Sequence, residues 1–139
     1  MNLVVDCSFI MSSILPDELL IKSKNIYDKI IENTYTVYVP AIFYLECNNV
    51  LINSLKRRRI DKNGYDDYIK LLSLLPINVD KFCSTSEALY IIAKLATEHS
   101  LTSYDACYLE LALRLEANIV TLDKNLTASC LQTGIKSII

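Results

Sequence analysis

The sequence predicts an α/β sandwich in which a parallel sheet of four to five strands lies between layers of helices. Three observations point there. Short apolar or β-branched runs recur along the chain: Leu3-Val4-Val5, Thr36-Val37-Tyr38-Val39, Ile77-Asn78-Val79 and Ile119-Val120-Thr121-Leu122. Longer stretches whose apolar residues repeat at helical spacing separate them. No hairpin-type turn joins any two runs, so the strands need crossover connections, which implies parallel pairing and helices on both faces. With 139 residues, 52% of them apolar, one core and a single domain over 1–139 are expected.

The first run is unbroken and ends at Asp6, as suits a strand buried on both faces. Two helices follow Ser8, parted near Pro16-Asp17, where Asp17 and Glu18 favour the start of the second through their charge. That helix is expected to reach about Asn33. Pro40 closes the second strand and starts a long helix to about Arg59, in which Ile42, Leu45, Val50 and Leu55 recur at near-helical spacing. Lys56-Arg57-Arg58-Arg59 stand at its C-terminal end, where positive charge complements the helix dipole. Lys62-Asn63-Gly64 reads as a turn, and Tyr68, Leu71, Leu72 and Leu75 mark a helix that stops at Pro76 before the third strand. Ser84-Thr85-Ser86-Glu87 resembles an N-cap for a helix carrying Leu89, Ile92, Ala93 and Ala96. Thr102 or Ser103 caps the next, with Ala106, Leu109, Ala112 and Leu113. The fourth strand ends at Asp123.

Composition excludes several functions. Gly64 and Gly134 are the only glycines, so neither a dinucleotide-binding G-x-G-x-x-G nor a Walker phosphate loop can be written. Lys+Arg 14 against Asp+Glu 16 gives a net charge of −2, which leaves no overall basic field for non-specific nucleic-acid binding. Cys7, Cys47, Cys83, Cys107 and Cys130 are odd in number and never form C-x-x-C pairs, so they suggest neither a disulfide framework nor a zinc knuckle, and a reducing cytoplasm fits best. No signal-like N-terminus or membrane-spanning run stands out, so a soluble, non-exported protein is expected.

Four acids are embedded among apolar or small neighbours: Asp6 after Leu3-Val4-Val5, Glu46 within Ile42-Phe43-Tyr44-Leu45-Glu46-Cys47, Asp105 within Ser103-Tyr104-Asp105-Ala106-Cys107, and Asp123 after Ile119-Val120-Thr121-Leu122. Singly, Asp105 reads as a cap or charge partner of its helix, and Asp6 and Asp123 as partners for backbone N–H groups at strand-to-helix turns. As a set gathered within about 5 Å, each like-charged pair would cost roughly 3 kcal/mol at an effective dielectric of about 20. A cation must offset that. No basic residue stands near Asp6, Glu46 or Asp105 in sequence, and the single histidine, His99, lies elsewhere. An oxygen-only pocket favours Mg²⁺ or Mn²⁺ over Zn²⁺, and such an ion suits phosphodiester hydrolysis.

These segments resemble those of PIN-domain ribonucleases, in particular the VapC-type toxins of toxin–antitoxin pairs, over nearly the whole chain. An apolar strand ending in D-x-S/T appears as Val4-Val5-Asp6-Cys7-Ser8, and a helical E-x-x-N-x-L as Glu46-Cys47-Asn48-Asn49-Val50-Leu51. Y-D-A appears as Tyr104-Asp105-Ala106, and T-x-D after an apolar strand as Thr121-Leu122-Asp123. The resemblance implies a PIN-like three-layer α/β/α sandwich and a metal-holding quartet of Asp6, Glu46, Asp105 and Asp123, with Ser8 and Thr121 supplying hydroxyls beside the carboxylates. It further implies Mg²⁺ or Mn²⁺, endonucleolytic RNA cleavage, a small VapB-like antitoxin and a homodimer formed by helix faces. Leu126 departs from the family pattern, which usually has an aromatic there, and reads as a packing substitution. The alternatives are a PIN nuclease of RNA maturation or DNA without an antitoxin, and a Mg²⁺-binding receiver-like signalling module. The receiver would need an ordered Asp-Asp…Asp…Thr…Lys series that the sequence lacks.

Other residues carry weaker signals. Lys56, Arg57, Arg58 and Arg59 could contact RNA phosphates or an acidic partner, although a solvated helix end is the safer reading. Glu110 lies five residues past Asp105, about 140° round the helix, and is left out of the site. His99 reads as a dipole partner at a helix C-terminus, Cys7 and Cys107 as core residues, and most tyrosines as packing.

Overall fold

The computed structural model describes residues 1–16 and 21–139. Its elements run β1 (Asn2–Val5), α1 (Cys7–Ile14), α2 (Ile21–Ile31), β2 (Thr36–Pro40), α3 (Phe43–Lys56), α4 (Lys62–Ser73), β3 (Ile77–Asp80), a 3₁₀ turn (Phe82–Ser84), α5 (Ser86–His99), α6 (Ser103–Arg114), β4 (Asn118–Val120) and α7 (Lys124–Thr133). The four strands form one sheet in the order β3-β2-β1-β4, every pair parallel. Helices supply each crossover, as parallel pairing demands, and the result is the PIN-like α/β/α sandwich that the sequence predicts. The C-terminal tail adds a single parallel bridge, Ile119 to Ser137, which stands where a fifth strand would lie.

Interior strand β1 explains its own sequence: Leu3, Val4 and Val5 are wholly buried, with no polar alternation because neither face meets water. Helix α6 packs on β1, β2 and β4 and is flanked by α5 and α7. Ala106 through Ala112 are all buried, a stretch apolar nearly all round, as expected of a helix covered on every side. Leu126 is fully buried, so the aliphatic residue at that position serves packing.

Local chemistry redraws several boundaries. Lys62-Asn63-Gly64 is not a turn. It is the first turn of α4, because the Asp61 carboxylate accepts the Gly64 amide at 2.7 Å and so caps the helix. Pro40 ends β2, and α3 begins three residues later. The cap of α5 is Thr85, which accepts the Ala88 amide, while Ser84 belongs to the 3₁₀ turn. Thr102 caps α6. Past Val120, where β4 ends, the Thr121 hydroxyl donates to Asp6 and the Leu122 amide to Ser8, both at the start of α1. The proposed opening of the second helix at Asp17 and Glu18 lies outside the described residues. Asn33 adopts a positive φ of 57°, beyond the last helical residue Ile31.

Candidate active site

Strand order reverses between β1 and β4: the chain goes from β1 to β2 and β3 on one side and reaches β4 on the other only later. In open parallel sheets the crevice beyond the strand C-termini at such a reversal is where ligands bind. Asp6 and Thr121 emerge there side by side, since Val5 pairs with Val120 and the Asp6 amide donates to Val120 O at 2.9 Å. Asp6 is 4% exposed. Its Oδ2 accepts from Ser8 Oγ at 2.6 Å and from Thr121 Oγ1 at 2.7 Å. Each hydroxyl accepts a backbone amide in return, Leu122 N on Ser8 Oγ at 3.1 Å and Asp123 N on Thr121 Oγ1 at 3.0 Å. The two hydroxyls therefore fix the Asp6 carboxylate and tie the ends of β1 and β4 together.

The other three acids arrive from helix ends. Glu46 lies in the first turn of α3, and its Oε1 accepts from Tyr108 Oη at 2.6 Å. Asp105 lies in the first turn of α6. Asp123 is the N-cap of α7, with Oδ1 accepting the Leu126 amide at 2.8 Å. Asp6 itself occupies the N-cap position of α1. Four helix N-termini, each with a partial positive charge of roughly half a unit, thus present one acid apiece to an open cleft of about 640 Å³. All four sequence-predicted acids and Ser8 line it, and among the described residues no Lys, Arg or His does.

Burial dominates the electrostatics. It raises the pKa of Asp6, Glu46 and Asp105 above the usual carboxylate range. At Asp6 the Ser8 and Thr121 hydroxyls pull the other way, while the Asp123 charge adds to the rise. At Glu46 the Tyr108 phenol opposes burial, and the Asp6 and Asp105 charges add to it. Asp105 is raised further by Asp123 and Asp6. The acids are therefore close enough to repel one another, and among the described residues no cation relieves them.

The donor set fits a hard divalent cation: carboxylate oxygens from four elements, with hydroxyls behind them and no sulfur or imidazole lining the cleft apart from the buried Cys7. Among the described residues no three acidic, His or Cys side chains close into a tight shell. The acids stand apart along the cleft walls, so water would complete the coordination, as Mg²⁺ commonly retains it.

The remaining candidates lie elsewhere. Lys56 ends α3, Arg57 is its C-cap and Arg58 takes a positive φ of 57°. Ten residues of helix, about 15 Å, separate this run from Glu46, and none of its members lines the cleft. Glu110 is 5% exposed and bonded to Arg114 Nε at 2.6 Å. His99 ends α5, its Nδ1 3.0 Å from Gln132 Oε1. Cys7 and Cys107 are buried, and their surroundings push both thiols up, foremost the Cys47 thiol 3.5 Å from Cys7 and desolvation at Cys107.

Two neighbours of the acids carry no site role in the sequence reading. Tyr108 is wholly buried behind the cleft, and it follows Asp105 by three residues and so shares its helix face. Asn49, the asparagine of the E-x-x-N-x-L motif, follows Glu46 by the same interval and lines the cleft. Helical spacing from each acid is the signal that finds both.

Solved structures share the architecture. PAE2754 from Pyrobaculum aerophilum is 23% identical with a TM-score of 0.70, covering 99% of this chain and 84% of its own. FitAcB from Neisseria gonorrhoeae is 16% identical with a TM-score of 0.68, covering 99% and 96%. VapBC2 from Rickettsia felis, bound to a DNA fragment from their promoter, is 12% identical with a TM-score of 0.65, covering 99% and 97%. No curated protein matches the sequence. The PIN domain model matches residues 3–129, a span that takes in all four acids and displaces the receiver-like alternative. With that match over most of its length and a carboxylate cleft at the strand-order reversal, the chain belongs to the PIN domain family.

Proposed function

We propose that this PIN nuclease is a Mg²⁺- or Mn²⁺-dependent endoribonuclease that hydrolyses RNA phosphodiester bonds as the toxin half of a VapBC-like toxin–antitoxin pair. The observation that carries the reading is the cleft itself: four acids from four helix ends, mutually repelling, with no lysine, arginine or histidine among them. A permanent charge imbalance of this kind destabilises the fold unless a cation joins it.

Asp6, Glu46, Asp105 and Asp123 would hold the ion. When bound, it supplies screening of the phosphate charge, a water acidified for in-line attack and stabilisation of the leaving oxygen. The chain's own part is orientation. Ser8 and Thr121 occupy Asp6 Oδ2, and Tyr108 occupies Glu46 Oε1, so both carboxylates are set before substrate arrives. Burial and the Glu46 charge raise the Tyr108 phenol, which keeps it a hydrogen donor. The thiol of Cys7 is held protonated, which removes it as a nucleophile.

The toxin reading rests on the D-x-S, E-x-x-N-x-L, Y-D-A and T-x-D motifs, and VapBC2 bears the name of the same pairing. It brings with it a small antitoxin, a homodimer through helix faces, and a cytoplasmic setting. Lys56, Arg57, Arg58 and Arg59 serve in this reading as a remote phosphate contact, which reversal of two of the charges would expose as a flatter salt dependence. The test is cleavage of total RNA, and of matched single-stranded DNA, with Mn²⁺ or with EDTA, followed by mapping of the ends. Cuts in RNA that EDTA abolishes support the reading. EDTA-resistant cutting, or cutting of DNA alone, overturns it.

A further inference from the structure

Beside the carboxylate cleft lies a second hollow of about 370 Å³, between the 3₁₀ turn and α5 on one side and the start of α6 on the other. Ile42 and Tyr104 line both spaces, so the two adjoin across these side chains. Part of its lining is apolar, with Ile92 and Cys107 buried at 5% and 6% exposure. Tyr104 directly precedes Asp105, yet it is 61% exposed and its hydroxyl has no partner among the described residues. Ser86 and Ser103 on the same rim are exposed, and their hydroxyls are likewise unbonded. An aromatic face one residue from an acid that would handle phosphate therefore stands beside an apolar lining and two spare hydroxyls.

We propose that this hollow is a nucleobase subsite, which receives the base adjoining the cleaved phosphate of single-stranded RNA and stacks it on the Tyr104 ring. The inference rests on the nuclease reading above and adds to it a specificity-determining residue. Stacking needs an unpaired base, so the subsite selects single strands, loops and bulges over duplex. It tolerates any base, because each has a π-face. Hydroxyls of Ser86 and Ser103 both donate and accept, so they meet any base edge and impose a mild preference at most. The hollow carries no cation of its own, so its affinity for RNA comes from stacking and varies little with salt.

The test uses a short single-stranded RNA that the full-length protein cuts, and the same RNA with one abasic residue on either side of the cut. Tyr104→Ala is expected to raise KM about tenfold with little change in kcat, in line with the usual worth of base–aromatic stacking. Tyr104→Phe, which keeps the ring, restores KM. One abasic position raises the wild-type KM by the same factor and has no further effect on Tyr104→Ala, since both changes remove one contact. An unchanged thermal midpoint for Tyr104→Ala shows that the exposed ring is not needed for folding. Unchanged KM in Tyr104→Ala, or losses that multiply with the abasic residue, overturn the subsite while leaving the nuclease reading intact. A wild-type protein that cuts no RNA overturns both.

Discussion

Asp105 and Glu110 stand five residues apart on α6, and the protein surrounds them in opposite ways. Glu110, 5% exposed, meets Arg114 one turn on, with 2.6 Å between Oε1 and Nε. The same guanidinium reaches Asp80 at the end of β3, at 2.7 and 3.1 Å, and lies 4.8 Å from the centre of the Phe82 ring. One cation thereby serves two acids and pins β3 and the 3₁₀ turn to α6. Arg114 holds the Asp80 carboxyl below its ordinary value. Asp105 has other acids and no cation beside it among the described residues, and burial with the Asp123 and Asp6 charges raises its carboxyl against the pull of the Thr102 hydroxyl. A partnered acid reads as architecture, whereas a group of acids left without a cation at a strand-order reversal reads as a place for a ligand.

The contrast separates activity from stability on substitution. Asp6→Asn and Asp105→Asn are expected to lower RNA cleavage by about 10³-fold or more, the scale on which removal of electrostatic stabilisation at a reacting centre is felt. Circular dichroism would show the fold retained. Arg114→Ala is expected to leave cleavage within a few-fold of wild type and to lower stability in urea by about 2 kcal/mol. That figure is smaller than the roughly 3–5 kcal/mol for breaking a fully buried pair, because the Arg114 side chain is 36% exposed and solvent screens it. An Arg114→Ala protein as inactive as Asp6→Asn would erase the distinction.

A milder change sharpens it. Tyr108→Phe removes the hydroxyl that holds Glu46 and leaves the ring in the core. The Mn²⁺ concentration needed for half-maximal cleavage is expected to rise about tenfold, the low end of what loss of a partner behind a metal ligand costs. An unchanged Mn²⁺ requirement would show that Tyr108 serves packing alone.

The smallest effects come from pH, with opposite signs. Asp80 has a lowered folded pKa, so the stability it draws from Arg114 is present above the unfolded value of about 3.9 and is lost as pH falls through the folded value. The thermal midpoints of wild type and Arg114→Ala should therefore converge on acidification below about pH 4. Asp6 has a raised folded pKa, so its charge destabilises the fold at neutral pH. Wild type without metal should melt below Asp6→Asn at pH 7, and the gap should close as pH falls through the raised value toward the ordinary carboxylate range.

Much of the architecture was legible because β1, β2 and the helices between strands obey simple periodicities, and burial of Leu3, Val4 and Val5 on both faces leaves an unmistakable run. The four acids were legible for a related reason: each interrupts apolar sequence. The start of α4 was misread because Lys62-Asn63-Gly64 has turn composition, while the deciding interaction, a carboxylate on the Gly64 amide, comes from Asp61 just before it. The partners of Asp6 and Glu46 were only partly legible. Thr121 is 115 residues from Asp6, and Tyr108 is 62 from Glu46, so no local pattern joins them, and only a family motif singled out Thr121. Arg114 shows itself to Glu110 at i+4, yet its reach to Asp80 depends on how β3 packs beside α6.

The account turns on whether the acids of the cleft are arranged to take a divalent cation. The most direct measurement is the thermal midpoint of wild type and of Asp6→Asn, each at pH 7 with and without Mn²⁺. Wild type is expected to melt lower than Asp6→Asn without metal and to rise by about 5–10 °C when Mn²⁺ stands a hundredfold above its Kd, while Asp6→Asn responds far less at the same concentration. Equal responses from the two proteins, or no response from wild type, would contradict the claim.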